Sequence, residues 1–284
     1  MIKELKISVL VENTARIGKH EVLGKHGFSA LIEAVGEKDT VKVLLDTGPS
    51  SDVLINNASV LGVNLDEVEV IVLSHGHYDH TGGLLEVLKK VGKRIPVIAH
   101  PDAFKPKFAM RPKLRYIGIP FSQSEIEKSG GVLLKTGNPV TIMNGLLSTG
   151  EVPRVTSYET PKGFWTVEDK LYVKDRVLDD QALVANVEDK GLVVITGCAH
   201  SGIINTVLYA KELTKTDKVH MVLGGFHLIG ADEDRLRNSI ESLLKINPEV
   251  IRPGHCTGSK ALNRLMNSFA ERCIPLQAGD KITV

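Results

Sequence analysis

Cysteine is scarce in this chain: three stand among 284 residues, at 198, 256 and 273. So sparse and odd a set speaks against a disulfide-stapled secreted scaffold. An excess of one charge is also missing. The 35 Lys and Arg are matched by 34 Asp and Glu, for a formal net charge of +1. That balance removes the bulk electrostatic basis for a nucleic-acid or anionic-membrane partner. No apolar run reaches the roughly 18 residues that a bilayer span requires. The opening MIKELKISVLVENTAR interrupts its apolar run with charges, unlike a secretory signal. A cytoplasmic protein is therefore expected, with neither membrane nor nucleic acid as partner.

What is present is ordinary globular material. At 42% hydrophobic and 24% charged residues, the chain can bury a core and is not expected to be disordered. Its length suits one large α/β unit. With no repeat, low-complexity tract or linker in view, residues 1–284 are read as a single domain.

Short β-rich runs fill the first third: KISVLVEN, FSALIEAV and VKVLLDTG, split by glycine and charged turns. The first two alternate, which predicts one wet face. A helix is expected over 51–61, with Gly62 just beyond it. VEVIVLS, at 68–74, is apolar apart from Glu69, as a buried strand should be. It runs straight into HGHYDH, and a helical period follows from Thr81 to Lys90. Residues 101–131 then carry four prolines, scattered aromatics and a basic cluster without a clean period. They read as an irregular lid-like insertion, too short for a core of its own. A second irregular stretch covers 150–170. In the last third, GLVVITG, KVHMVLGGFH and EVIRPGHCTG each lead from a strand towards a helix. Each places a histidine (His200, His227, His255) at or just past the strand's carboxyl end, the edge where α/β sheets bind ligands.

The densest chemistry lies at 75–80, where His75, His77, Asp79 and His80 occupy six residues. Alternation along a strand sends His75 and His77 the same way, so they can share one ion. Asp79 and His80, where the helix begins, can serve a second, and Gly76 is expected to give the backbone freedom to bend between them. Imidazole with carboxylate suits zinc, iron or manganese, and the absence of thiolates in this segment disfavours a structural zinc site. By contrast, His20 and His220 read as lone surface or strand histidines.

H-x-H-x-D-H after a hydrophobic strand, followed by T-G-G, resembles the signature of the metallo-β-lactamase superfamily. LLDTG, with Asp46, resembles that family's first motif, whose aspartate orients the metal-binding loop by hydrogen bonding. PGH, with His255, resembles its last, which supplies a ligand to the second metal. The fold this implies is a four-layer αββα sandwich, with the site in the cleft at the edges of two sheets. Two positions depart from the family pattern. Cys198 stands near the place of an aspartate that usually bridges both metals, either as a thiolate ligand or as a small buried residue. No histidine lies between 100 and 200 to complete the first metal's set; Glu151 occupies that slot in sequence, and His200 is the best remaining ligand. SHGHYDHTGGL, TGCAHSG, GGFH, PGHCTG and HGFSALIE together look like the branch containing the archaeal dihydropterin–ribofuranosylaminobenzene phosphate synthase of methanopterin biosynthesis.

The resemblance implies two divalent ions, zinc first, with iron, manganese or magnesium as alternatives, acting on a phosphorylated small molecule. As a transferase of the synthase kind, the enzyme would stabilise a departing diphosphate. As a hydrolase of a small phosphoester or cyclic ester, it would activate water. An iron-based redox or metal-sensing role is the third alternative. Asp79 and His227 are the candidate catalytic residues, and His227 is equally a phosphate donor or a strand-end histidine bonded to a loop. His26 is a candidate substrate contact. Lys105, Lys107, Arg111, Lys113 and Arg115 concentrate positive charge in the lid. Lys113 and Arg115 are the candidate phosphate-binding residues, unless the cluster is a solvated loop face. Phe104, Phe108, Tyr116 and Trp165 are placed either to stack on a pterin-like ring or to anchor the irregular segments.

Overall fold

The computed structural model describes residues 1–284 except 17, 19, 20 and 111, so His20 and Arg111 lie outside what is described. The chain opens with β1 (Glu4–Val11), β2 (Ser29–Val35) and β3 (Thr40–Leu45). Helix α1 (Ser51–Val60) leads to the short β4 (Val70–Val72). Two helices follow, α2 (Tyr78–Thr81) and α3 (Leu84–Val91), then β5 (Ile95–Ala99). Next come β6 (Lys107–Ala109), β7 (Arg115–Tyr116), α4 (Gln123–Lys128) and β8 (Gly131–Lys135). The strands β9 (Val140–Met143), β10 (Leu146–Ser148), β11 (Phe164–Glu168) and β12 (Leu171–Lys174) carry the chain to β13 (Ala182–Val187). The last third alternates: β14 (Gly191–Thr196), α5 (Ile203–Thr214), β15 (Val219–Gly225), α6 (Glu233–Ile246), β16 (Val250–Gly254), α7 (Ser259–Phe269), and finally β17 (Lys281–Thr283).

The strands form a seven-stranded sheet ordered β17-β1-β2-β3-β4-β5-β8 and a six-stranded sheet ordered β16-β15-β14-β13-β10-β9. Alternation along each strand assigns its side chains to two different cores. On β1 to β3, Ile7, Ile32 and Val43 meet across the ladder. They face Leu183, Val193, Ile195 and Leu223 of the second sheet. Leu10, Leu31 and Leu44 point the other way, under Leu54 of α1 and Leu84 and Leu88 of α3. On β14 and β15, Val194 and Val222 pack beneath Ile203, Val207, Leu236 and Leu265 of α5, α6 and α7. Three cores between four layers make an αββα sandwich. The expected wet face of the first two strands is thus confined to Lys6, Ser8 and Glu33 and the end pair Glu4 and Val35, and the remainder is covered by helices.

Two expected elements are shorter or split. The strand foreseen at 68–74 pairs only over 70–72, because Ser74 turns its N–H to the carboxylate of Asp46. The helical run foreseen from Thr81 to Lys90 is two helices, parted at Gly82 and Gly83. The irregular stretches at 101–131 and 150–170 meet: β6 and β7 join β11 and β12 in a four-stranded antiparallel sheet ordered β12-β11-β6-β7. Phe164 pairs with Ala109, and Phe108 with Tyr116. Neither stretch shows a period because each brings a pair of short strands to this sheet, and the two pairs join only through β6 and β11, some fifty residues apart in the chain. Among the described residues, no helix is long and apolar enough to cross a membrane.

Candidate metal centre

The parallel pair β3 and β4 ends side by side, and the loops beyond carry the first donors. Asp46, fully buried and in left-handed backbone (φ 58°), accepts from the Ser74 N–H (2.7 Å) and the Ser74 hydroxyl (2.6 Å). The same carboxylate lies 2.7 Å from His80 Nδ1. That contact keeps a proton on Nδ1 and aims Nε2 at Cys198 and His255. Burial alone would depress the His80 imidazole, yet Asp46 and Asp79 outweigh it and hold it up at about 9. Gly76 turns out to serve close approach rather than bending. A Cβ there would lie 2.0 Å from the Ala103 carbonyl oxygen.

His75, His77 and His200 bring one ring nitrogen each to within 4.8 Å of one another. His75 Nδ1 rests 2.9 Å from the Ser74 hydroxyl. His77 Nε2 and both nitrogens of His200 are buried without a hydrogen-bond partner. Burial is the first cause that lowers all three imidazoles, His77 to about 3 and the other two well below the usual range. All three are therefore neutral near pH 7, with lone pairs to donate.

The opposite side of the cavity is built around Asp79. Its Oδ2 lies 3.3 Å from His26 Nε2, 3.5 Å from His255 Nε2 and 3.8 Å from His80 Nε2. Burial would raise this carboxyl, but His80, His255 and His26 draw it well below the usual carboxylate range. His26 is in turn raised by its contact with Asp79. Between the two groups sits Cys198, whose Sγ is 3.3 Å from His80 Nε2. It falls within 4.8 Å of donors in three separate sets: His75 with His80, His200 with His227, and His255 with Cys256. Gly197, just before it, has no room for a side chain, since a Cβ would meet Ser74 Oγ at 2.0 Å.

The parallel order β14-β15-β16 brings together the three loops that carry His200, His227 and His255. His227 lies 4.1 Å from His200, ring centre to ring centre, and its buried Nδ1 has no partner. His255 is set by residues that the sequence did not flag. Glu12, buried at the end of β1, accepts the His255 N–H, and Asn13 Oδ1 stands 3.0 Å from Nδ1. The available signal was a polar pair, Glu12 and Asn13, directly after a buried strand. A second unflagged support is Asp179, which accepts from the Gly76 N–H (2.7 Å) and from Lys107 Nζ (2.7 Å). Asp180 beside it accepts the Ser201 N–H (2.8 Å) next to His200, and burial pushes its carboxyl up to about 6.

His26, His77, Asp79, Cys198, His200, His227 and His255 line one cavity of about 220 Å³, walled also by Phe164, Ile117, Ile229 and Arg115, and His75 and His80 are fully buried outside its wall. Of the two lid residues singled out for phosphate, Arg115 lines it, whereas Lys113 is exposed and is not part of its wall. The rest of the basic cluster divides. Lys107 is 1% exposed and paired with Asp175 and Asp179, and Lys105 is paired with Asp102 and Glu168. Glu151 lies beside His100, away from the cavity. His220 pairs with Glu249. Trp165 stacks on Tyr172 (4.8 Å) and Phe108 meets Tyr116 edge-on, so both turn away from the site. Their strand neighbour Phe164 faces it instead, 5.0 Å from His200 and 5.1 Å from His77.

The residues fit divalent ions on structural grounds. Burying an imidazole nitrogen without a partner costs about 1–3 kcal/mol, and four such nitrogens converge here, on His77, His200 and His227. A bound ion would take up one such nitrogen on each of His77 and His200.

Comparison with known proteins places this architecture. A family model for the metallo-β-lactamase superfamily matches residues 24–255. The 7,8-dihydropterin-6-methyl-4-(β-D-ribofuranosyl)-aminobenzene-5′-phosphate synthase of Methanocaldococcus jannaschii is 35% identical, over 98% of this chain and 96% of its own. An uncharacterized protein of the same organism is 40% identical over 93% of this chain and 95% of its own. The solved structure of Tm1679, a metal-dependent hydrolase of the β-lactamase superfamily, superposes with a TM-score of 0.83 at 30% identity, covering 99% of both chains.

Proposed function

The chain belongs to the metallo-β-lactamase superfamily, and from that premise we propose that it is a two-metal enzyme transferring a group between phosphorylated small molecules. Its proposed reaction is most like that of the pterin-related synthase. His75, His77 and His200 would hold the first ion, and Asp79, His80 and His255 the second. Cys198 would be shared between them. The observation that carries this reading is the convergence of buried, unpartnered imidazole nitrogens from both sheets on one cavity.

Bound divalent ions would supply electrostatic stabilisation to the oxygens of a phosphate or departing diphosphate. The chain's own residues set the rest. Asp46 holds His80 by Nδ1, which leaves Nε2 aimed at Cys198 and His255. Glu12 and Asn13 do the same for His255. Arg115, at the mouth, presents a planar guanidinium to a phosphate. Phe164 offers a ring face to a heteroaromatic substrate and narrows access for water. His227, with Nδ1 unpartnered beside His200, is placed to take or give a proton at that nitrogen. His26, against Asp79 and His255, forms the opposite wall.

A hydrolase of a small phosphoester is the second reading, favoured by the likeness to Tm1679 across the whole chain. One experiment separates the two. Freshly purified protein is analysed for metal, then given a dihydropterin-methyl diphosphate together with a ribofuranosylaminobenzene phosphate. Joined product with released diphosphate supports the transferase. Turnover of simple phosphodiesters well above free metal, without joined product, supports the hydrolase. Full activity after exhaustive chelation ends both.

A further inference from the structure

The proposed centre is short of negative charge. Two divalent ions bring four positive charges, while Asp79 is the only carboxylate in the cavity wall among the described residues. The imidazoles add no charge, and burying uncompensated charge is costly. A second thiol stands where the deficit lies. Cys256 follows His255 directly, on a backbone pinned by Glu12 and Asn13. It is 7% exposed, yet it lines the same cavity. Its Sγ donates to the Cys198 carbonyl at 3.3 Å. The two sulfurs and a ring nitrogen of His255 all lie within 4.8 Å of one another. Around a tetrahedral ion with bonds of about 2.0–2.3 Å, donors sit about 3.3–3.8 Å apart. The three atoms therefore need to close by at most about 1–1.5 Å. Space for the thiol is provided by Gly225 on the neighbouring strand, where a Cβ would fall 2.6 Å from Cys256 Sγ.

We propose that Cys256 is a metal ligand, forming with Cys198 and His255 a sulfur-bearing face of the centre. The inference rests on the metal-centre reading above. Each thiol loses its proton to solvent as its metal–sulfur bond forms, so an ion held by both releases two protons and gains two negative charges. Sulfur donors select zinc, iron or cadmium over magnesium and manganese.

The test is replacement of the native metal by Co²⁺ in the full-length protein, followed by absorption spectroscopy. The expected wild-type spectrum has visible d–d bands and a near-ultraviolet sulfur-to-cobalt band. Cys256→Ser should keep the d–d bands and remove about a third of the sulfur band, one of the three cobalt–sulfur bonds made by a shared Cys198 and by Cys256. Cys198→Ser with Cys256→Ser should abolish it. An unchanged sulfur band in Cys256→Ser overturns the proposal, as does a wild-type spectrum with d–d bands and no sulfur band. In that second case the metal centre stands. Absence of bound cobalt removes the centre and the proposal together. X-ray absorption of the zinc-loaded wild type, which needs no variant, averages over both ions: a shared Cys198 and Cys256 on one ion make three zinc–sulfur bonds, about 1.5 per zinc; a mean of about one or less again overturns the assignment.

Discussion

The two large sheets equip the centre in opposite ways. The first delivers His75, His77, Asp79 and His80 from one continuous segment, a loop running into α2, braced from beneath by Asp46 and Ser74. The second delivers His200, His227 and His255 singly, from three loops brought side by side by β14, β15 and β16. A contiguous set keeps its internal geometry wherever its loop goes. A dispersed set depends on strand order and on each loop having its own brace: Asp180 at Ser201, Arg235 on the His227 carbonyl, and Glu12 with Asn13 on His255. Convergence of donors on one cavity is thus achieved once by sequence proximity and once by topology.

The severest way to break this comparison is within the contiguous set. Replacing Asp79 and His80 together with Ala should remove about half of the bound metal and nearly all turnover. Metal analysis showing no loss would undo the assignment. Next in size is the support shared with the lid sheet. Lys107→Met strands the buried carboxylate of Asp179 and should cost about 3–5 kcal/mol of stability. Lys105→Met, two residues away on an exposed pair, should cost within about 1 kcal/mol. Urea midpoints for the two variants test the contrast, and equal shifts would refute it. Asp46→Asn leaves every direct donor in place and should weaken metal affinity about 10–100-fold, as read by competition with a chromophoric chelator. The smallest effect is expected at the mouth. Arg115→Ala should raise KM for a phosphorylated substrate several-fold with metal content unchanged, and Lys113→Ala should do nothing measurable. Equal KM values in both would return Arg115 to the solvated surface.

The sequence made the contiguous set legible because donors spaced one to five residues apart, after an apolar strand, need no tertiary knowledge. His200, His227 and His255 could be placed at strand ends, but their meeting required the order of β14, β15 and β16. The braces were hidden for a plainer reason. Glu12, Asp179 and Asp180 look like ordinary surface acids until burial is known. The lid charges misled in the same direction, since Lys107 reads as a solvent-facing lysine in sequence and is among the most buried side chains in the molecule. The aromatics were legible in kind and off by one in position. Phe164 and Trp165 are strand neighbours, and the pleat gives the site to the first and the outer face to the second.

The small sheet over the cavity is stitched from two stretches that enter and leave it separately, at 107–116 and at 164–174. Four passages of chain tie it down, and Lys107 rivets its inner strand to the loop that bears Gly76. Such a cover cannot swing like a flap on one hinge without tearing the Phe164–Ala109 pairing. It tilts as a plate or it stays shut, and a small molecule entering the cavity has to pass Arg115 and Ile229 on its wall.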